Sequence, residues 1–296
     1  LVSLPHLHTQ AHHIAKTAYY AAEAEKAGAD SLWLGDRNMA AVNPKVGTRG
    51  IGTTIPVEYN TTADPFVVLG VAASATERVT RHPCADRAVV PAGAAGPVAD
   101  LDRPDQRRPP DPRFRHRLVA RGVRGHRLDF ATRGALMEEL LDALEILWTK
   151  DPAEYHGKLI DLPLHHSPLK PAQRPRPPFY LGGFAEAALR RIGRRGDGWL
   201  PLVTVPTFVN TDLLLAQRAT IDEAARAAGR DPAAIDTVLR VNVDRGIPAR
   251  QTVNAVKAIA QETGIDHFLI ELMYVADNTD EALEKVHELM PLFERG

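Results

Sequence analysis

Several positions in the sequence hold side chains capable of chemistry just after short apolar runs. His6 and His8 stand two apart after the first run, Asp36 and Arg37 follow the second, and Gly182-Gly183-Phe184 and Trp199 follow later ones. Glu271 lies near the end of the last. Paired imidazoles can hold a metal ion or, because histidine titrates near neutrality, move a proton. Asp36 closes the run Ser31-Leu-Trp-Leu-Gly-Asp36, where a carboxylate serves as a loop cap or as a functional group. The arginine beside it can pair with a substrate or phosphate anion. A glycine pair lets the backbone approach a ligand closely, and a helix opening after it offers free amides to an anion; a tight turn needs the same residues.

Elements that alternate between short apolar runs and amphipathic helices must position these groups, the pattern of βα units around a parallel sheet. The runs are Leu1 to Leu4, Ser31 to Asp36, Pro178 to Gly183, Gly198 to Leu202, Asp236 to Val243 and His267 to Met273. Between and after them, helices are expected over Ala11 to Ala27, Asp64 to Thr76, Thr132 to Thr149, Ala185 to Arg195, Val209 to Gly229, Ala249 to Thr263 and Thr279 to Phe293. Leu136, Leu140, Leu144 and Leu147 give the third its apolar stripe. The polar connection Arg37 to Thr62 is longer than a simple βα loop and reads as a functional excursion. The expected fold is α/β, a (β/α)8 TIM barrel in one domain over 1–296, with chemistry at the C-terminal ends of the strands. That count leaves two of eight strands to find.

The missing strands fall in an anomalous stretch. Residues 80–128 contain eleven arginines, seven prolines and no lysine, with a period of neither 2 nor 3.6. An Arg/Pro-rich disordered insertion is one reading. A pair of compensating frameshifts is the sharper one. Read one base along, the codons from Asp105 can spell I-S-G-G-R-L-I-L-G-F-G-I-G-W-x-R-E-E-Y-E-A-T-G, running into the in-frame Asp129-Phe130. Thr80 to Ala85 can likewise give L-G-T-x-V-L. Two strand-like segments then restore the count to eight, and strands three and four are disrupted in the sequence as given.

Composition narrows the class of partner. With 296 residues, 44% of them hydrophobic, the chain can bury a large core. Lysine and arginine number 36 against 37 acidic residues, so net charge gives no reason to expect nucleic acid or an anionic membrane; a small-molecule substrate fits better. A single cysteine, Cys84, excludes an internal disulfide framework and suits a reducing cytoplasm. No apolar stretch is long enough to span a bilayer, and the start lacks a leader's basic and apolar regions, so a cytoplasmic protein is expected. Leu1 in place of Met suggests that residues precede it.

The in-frame segments resemble the luciferase-like monooxygenase family, particularly its coenzyme F420-dependent branch. The resemblance rests on Ala24-Glu-Lys-Ala-Gly-Ala-Asp-Ser-Leu-Trp-Leu-Gly-Asp36, Asp64-Pro-Phe through Ala75-Thr-Glu-Arg-Val79, Lys170-Pro-Ala-Gln-Arg-Pro through Pro178, Leu181-Gly-Gly183 with Ala187-Ala-Leu-Arg190, and Gly196-Asp-Gly-Trp-Leu-Pro201. The shifted-register S-G-G-R and L-G-x-G-x-G-W are typical of the family too. The resemblance implies an oxidoreductase that uses F420, or alternatively FMN, and often a homodimer. It places Asp36 against the redox ring, and Gly182, Gly183 and Phe184 near the cofactor, whose phosphate such turns hold. Arg37 stands where F420-dependent relatives often carry a histidine. Catalytic candidates are therefore His6, Asp36 and Arg37, with His8, Trp199 and Glu271 lining the substrate pocket.

Two rivals are weaker. A metal-dependent barrel hydrolase using His6 and His8 needs further His and Asp ligands at later strand ends, but His267 begins its strand and His156, His165 and His166 fall in a loop. No G-x-G-x-x-G opens a βαβ unit, which argues against a Rossmann nicotinamide site.

Overall fold

A computed structural model describes residues 2–3, 15–36, 65–78, 80–85 and 130–294. In chain order the elements are β1 (Val2–Ser3), α1 (Thr17–Lys26), β2 (Ser31–Asp36), α2 (Pro65–Ser74), β3 (Thr80–Ala85), α3 (Arg133–Thr149), β4 (Ala153–His156) and β5 (Asp161–His165). The second half continues with β6 (Tyr180–Leu181), α4 (Glu186–Arg195), β7 (Gly198–Trp199), β8 (Leu202–Val205), α5 (Thr211–Ala227), β9 (Asp236–Val243), α6 (Ala249–Thr263), β10 (His267–Glu271) and α7 (Thr279–Glu294).

Parallel strands build the wall of the fold. One sheet runs β1-β10-β9-β7-β6 with β8 also paired to β9, and β2 pairs with β3 in a second. The expected strand Gly198 to Leu202 appears as β7 and β8 in one continuous register on β9, Trp199 opposite Thr237 and Leu202 opposite Arg240. The break falls at Pro201, which has no amide hydrogen for the ladder, although its carbonyl still accepts from Arg240 N at 3.0 Å.

Alternation along these strands sorts side chains into two layers. Leu32, Leu34, Leu181, Trp199, Val203, Leu239, Val241, Phe268 and Ile270 join the large core packed against the helices. Trp33, Tyr180, Leu200, Val238 and Leu269 form a separate buried cluster on the other face. Since Trp33 comes from the β2–β3 sheet and the rest from the larger one, both sheets face one shared bore, plugged by these side chains as a TIM barrel's is.

Local chemistry sets the ends of the elements. Asn210 caps α5 by accepting a hydrogen bond from Leu213 N at 2.8 Å. α6 ends at Gly264, whose φ of +72° lies in the left-handed region that glycine adopts without strain. Asp197 fixes the entry to β6: one carboxylate oxygen accepts from Phe179 N and from Arg176 Nη1, each at 2.6 Å. Trp148 of α3 stacks on Phe179 with ring centroids 5.5 Å apart.

All six in-frame strands expected from the sequence form, and the helices match to within a few residues wherever they are described. Thr80 to Ala85 pairs as a strand with the residues as given, opposite Ser31 to Asp36. The strand expected within 86–129 lies outside the described residues. One expectation is corrected: His156 and His165 belong not to a loop but to the antiparallel hairpin β4–β5, and only His166 lies beyond it. The hairpin is mostly exposed, so it lacks the apolar alternation that reveals a half-buried strand. Glu139 of α3 anchors it instead. Its carboxylate accepts from the amides of Lys158, Leu159 and Ile160 at 3.1, 2.8 and 2.9 Å. These bonds, with Leu159's the largest influence, hold the Glu139 carboxyl below its usual range.

Candidate active site at the C-terminal ends of the strands

Strand β9, Asp-Thr-Val-Leu-Arg-Val-Asn-Val, alternates apolar residues that face the helices with Val238, Arg240 and Asn242 on the bore side. Its neighbour β10 puts Leu269 and Glu271 on that side in register, Leu269 opposite Arg240 and Glu271 opposite Asn242. Thr204 of β8 lies opposite Asn242 on its other flank. Above the apolar plug, toward the C-terminal ends, the bore therefore carries a polar layer.

That layer is tightly bonded. Arg240 Nη2 lies 2.7 Å from Glu271 Oε2, with side chains 9% and 0% exposed. Arg240 Nε donates to Asn242 Oδ1 at 3.0 Å, and Met273 N donates to Glu271 Oε1 at 3.0 Å. Tyr20 of α1 is buried within the field of the same carboxylate; burial first, then the Glu271 charge, push its phenol well above the ordinary range. Burying such an ion pair is costly unless its geometry and its further hydrogen bonds compensate, and here Asn242 Oδ1 and Met273 N supply two such bonds. The arrangement concentrates buried hydrogen-bonding groups at the C-terminal ends of β9 and β10. Its two formal charges are opposite in sign.

A second polar group lies toward the opposite end of the bore. Tyr180 Oη donates to Asp236 Oδ2 at 2.6 Å, Thr237 N donates to Asp236 Oδ1 at 2.7 Å, and His267 Nδ1 lies 3.8 Å from the same side chain. Tyr180 also explains Gly198, because a Cβ there would come within 2.1 Å of the tyrosine ring.

The residues singled out in the sequence fall in different places. Glu271 is in the polar layer, at the end of β10. Asp36 ends β2 with its backbone opposite Ala85; its side chain, like His6, His8 and Arg37, lies outside the described residues. Gly182, Gly183 and Phe184 form the half-buried turn from β6 into α4. A Cβ on Gly183 would approach Ala188 Cβ to 2.5 Å, so close helix packing already requires glycine there. Trp199 does not meet Glu271: it packs on the helix side, 1% exposed. With Asp236, Thr237 and Asp266 it lines a cavity of about 350 Å³ at the N-terminal ends of β9 and β10. Arg240 and Asn242 were missed, although the signal was visible as two polar residues at period 2 within the otherwise apolar run Val238 to Val243. Among the described residues no group of three or more His, Cys, Asp and Glu is arranged to hold a metal ion.

A parallel α/β barrel with a buried polar layer at the C-terminal ends of its strands belongs to a class whose active sites lie at that face. Within that class the resemblance is to the luciferase-like monooxygenase family, whose model matches residues 115–246. An uncharacterised protein of Mycobacterium tuberculosis is 39% identical over 71 residues, 24% of each chain. The phthiodiolone/phenolphthiodiolone dimycocerosates ketoreductase of Mycobacterium bovis is 28% identical over 231 residues, covering 70% of this chain and 55% of its own. The FMNH2-dependent dimethylsulfone monooxygenase of Pseudomonas putida is 27% identical over 125 residues, 42% of this chain and 31% of its own. The chain thus spans from about a quarter to about half the length of these curated relatives. Among solved structures, the monooxygenase RslO1 of Streptomyces bottropensis superposes with a TM-score of 0.76 at 16% identity, over 95% of this chain and 93% of that one. An F420-dependent secondary alcohol dehydrogenase superposes with 0.71 at 15% identity, over 95% of each chain. At such identities these two show the fold alone.

Proposed function

We propose that the chain is an F420-dependent oxidoreductase that transfers hydride between the deazaflavin and a small organic substrate. The observation that supports this reading best is the buried Arg240–Asn242–Glu271 layer, placed at the strand ends where a barrel of this kind does its chemistry. Similarity to a ketoreductase and to the fold of an F420-dependent alcohol dehydrogenase favours reduction of a carbonyl group or its reverse. When bound, a deazaflavin gives or takes a hydride at its central ring. The chain's own residues do the rest. The polar layer holds the floor of the mouth, and the Gly182-Gly183-Phe184 turn with the N-terminus of α4 receives a phosphate. By the resemblance to the family, Asp36 and Arg37 would hold the ring, His6 would give or take the substrate proton and His8 would contact the substrate.

A second reading is an FMN-dependent monooxygenase on the same fold, favoured by the dimethylsulfone monooxygenase similarity. Absorbance and fluorescence titration with F420, FMN and NADPH separates the two. The proposal expects F420 to bind and to exchange hydride with a small ketone or alcohol. Saturable FMN binding without F420 binding supports the second reading, and binding of neither removes both. The frameshift reading of residues 80–128 is tested by resequencing the locus and by running the same titration on a chain rewritten in the shifted register; an unbroken frame in an active, folded protein refutes it.

A further inference from the structure

We propose that Glu271 sets the charge class of the substrate, so that the barrel mouth accepts a neutral oxygenated molecule and rejects an anionic one. This inference rests on the reading of the strand ends as a substrate site and names what that site selects.

An arginine projecting into a binding site ordinarily recruits phosphate or carboxylate, because its planar fork matches those anions and it stays charged at any working pH. Arg240 is held differently. One edge of its guanidinium is taken by the Glu271 carboxylate at 2.7 Å, and its Nε is turned to Asn242 Oδ1 at 3.0 Å. Glu271 is itself pinned by Met273 N and Arg240 by Asn242, so parting the pair to admit an anion breaks one of these bonds as well as the ion pair. From a few ångströms away two opposite charges so close act as a dipole rather than a cation, and the field falls off quickly. The neighbouring groups continue this pattern. Thr204 and Asn242, in register with Glu271, are neutral hydrogen-bonding residues. Beyond the end of β9, Arg245 is paired with Asp277 at 2.8 Å, and Thr207 donates to Asp244 at 2.8 Å. Along β8, β9 and β10 the described residues thus present hydrogen bonds without an excess of positive charge, which suits a ketone, alcohol or amide.

The test needs no cofactor, so its failure is separable from failure of the redox reading. Acetamide and acetate, nearly equal in shape, serve as neutral and anionic probes of the cofactor-free protein, followed through the 15N shift of the Arg240 guanidinium. The wild-type chain should bind acetamide at least as tightly as acetate. E271Q keeps the shape and the Met273 contact but unmasks the Arg240 charge, and should bind acetate about tenfold more tightly than the wild type. Should E271Q not fold, R240Q reverses the sign: its unmatched Glu271 should favour acetamidinium over acetamide by a similar factor. The proposal is overturned if the wild type prefers acetate threefold or more. A folded E271Q, or R240Q in its place, that shifts its probe's affinity by less than threefold overturns it equally.

Discussion

The bore of the barrel holds two polar layers on either side of an apolar plug, and they are built on different principles. The lower layer, Tyr180 with Asp236 and His267, joins a neutral phenol to a carboxylate that also accepts from a backbone amide and is 39% exposed. The upper layer sets a full positive charge against a full negative one at 9% and 0% exposure. Moving such ions out of water costs several kcal/mol each, and their attraction only repays it when the geometry is good. Apolar layers alone can fill a parallel barrel. The lower layer is what positioning a strand needs; the upper one spends stability at the end where barrels of this class carry their active sites, as the proposed function requires.

Breaking that contrast gives the largest predicted effect. Glu271→Leu leaves Arg240 buried and charged without its partner, and should lower unfolding stability by about 3–5 kcal/mol in urea titration. Replacing both residues with apolar ones of similar volume, Arg240→Met with Glu271→Leu, should restore most of that loss. If the double variant is no more stable than the single one, stability rather than specificity explains the pair. The lower layer is disturbed next by Gly198→Ala. The added Cβ meets the Tyr180 ring at 2.1 Å, and a ring held in a packed bore cannot withdraw freely. Overpacking of this kind costs about 1–3 kcal/mol. Tyr180→Phe keeps the ring and removes only the hydroxyl's bond to Asp236, for an expected loss of about 1 kcal/mol. A Tyr180→Phe loss as large as that of Glu271→Leu erases the distinction between the layers.

How far each layer could be read from the sequence follows from the same physics. Apart from the hairpin β4–β5, helices and strands of residues 130–294 were legible because their periods of 3.6 and 2 come from burial on one face, and the run Ala249 to Thr263 appears as α6 with the same ends. Glu271 was visible as a charge closing an apolar run. Arg240 carried a signal of its own, but its pairing with Glu271 did not, because that depends on the register of β9 against β10, which no local pattern encodes. Trp199 was assigned to the mouth from its place at a strand end. A residue one step along a strand faces the other side, and the register puts Leu200 rather than Trp199 in the bore. The hairpin β4–β5 escaped notice since Glu139's bonds to its turn, rather than an apolar face, hold it down.

That hairpin supplies the exposed counterpart to the buried pair, and the smallest predicted effect. His156 sits between two carboxylates, Nδ1 at 2.6 Å from Asp161 and Nε2 at 2.8 Å from Glu154, with its side chain 57% exposed. Both ring nitrogens can donate only when the imidazole is protonated. The Asp161 bond first, then the Glu154 bond, raise its pKa above the ordinary value of about 6.5. Because the folded pKa lies above the unfolded one, the contribution is complete below about pH 6.5 and fades as pH rises through the folded value. An NMR titration should place the His156 midpoint above its ordinary value, and His156→Gln should remove that pH dependence while barely moving the melting temperature. A midpoint at or below the ordinary value refutes the charged bridge. If instead His156→Gln destabilises the chain as much as Glu271→Leu, burial is not what separates the strong ion pair from the weak one, since water screens the hairpin's charges and reaches neither Arg240 nor Glu271 to the same extent.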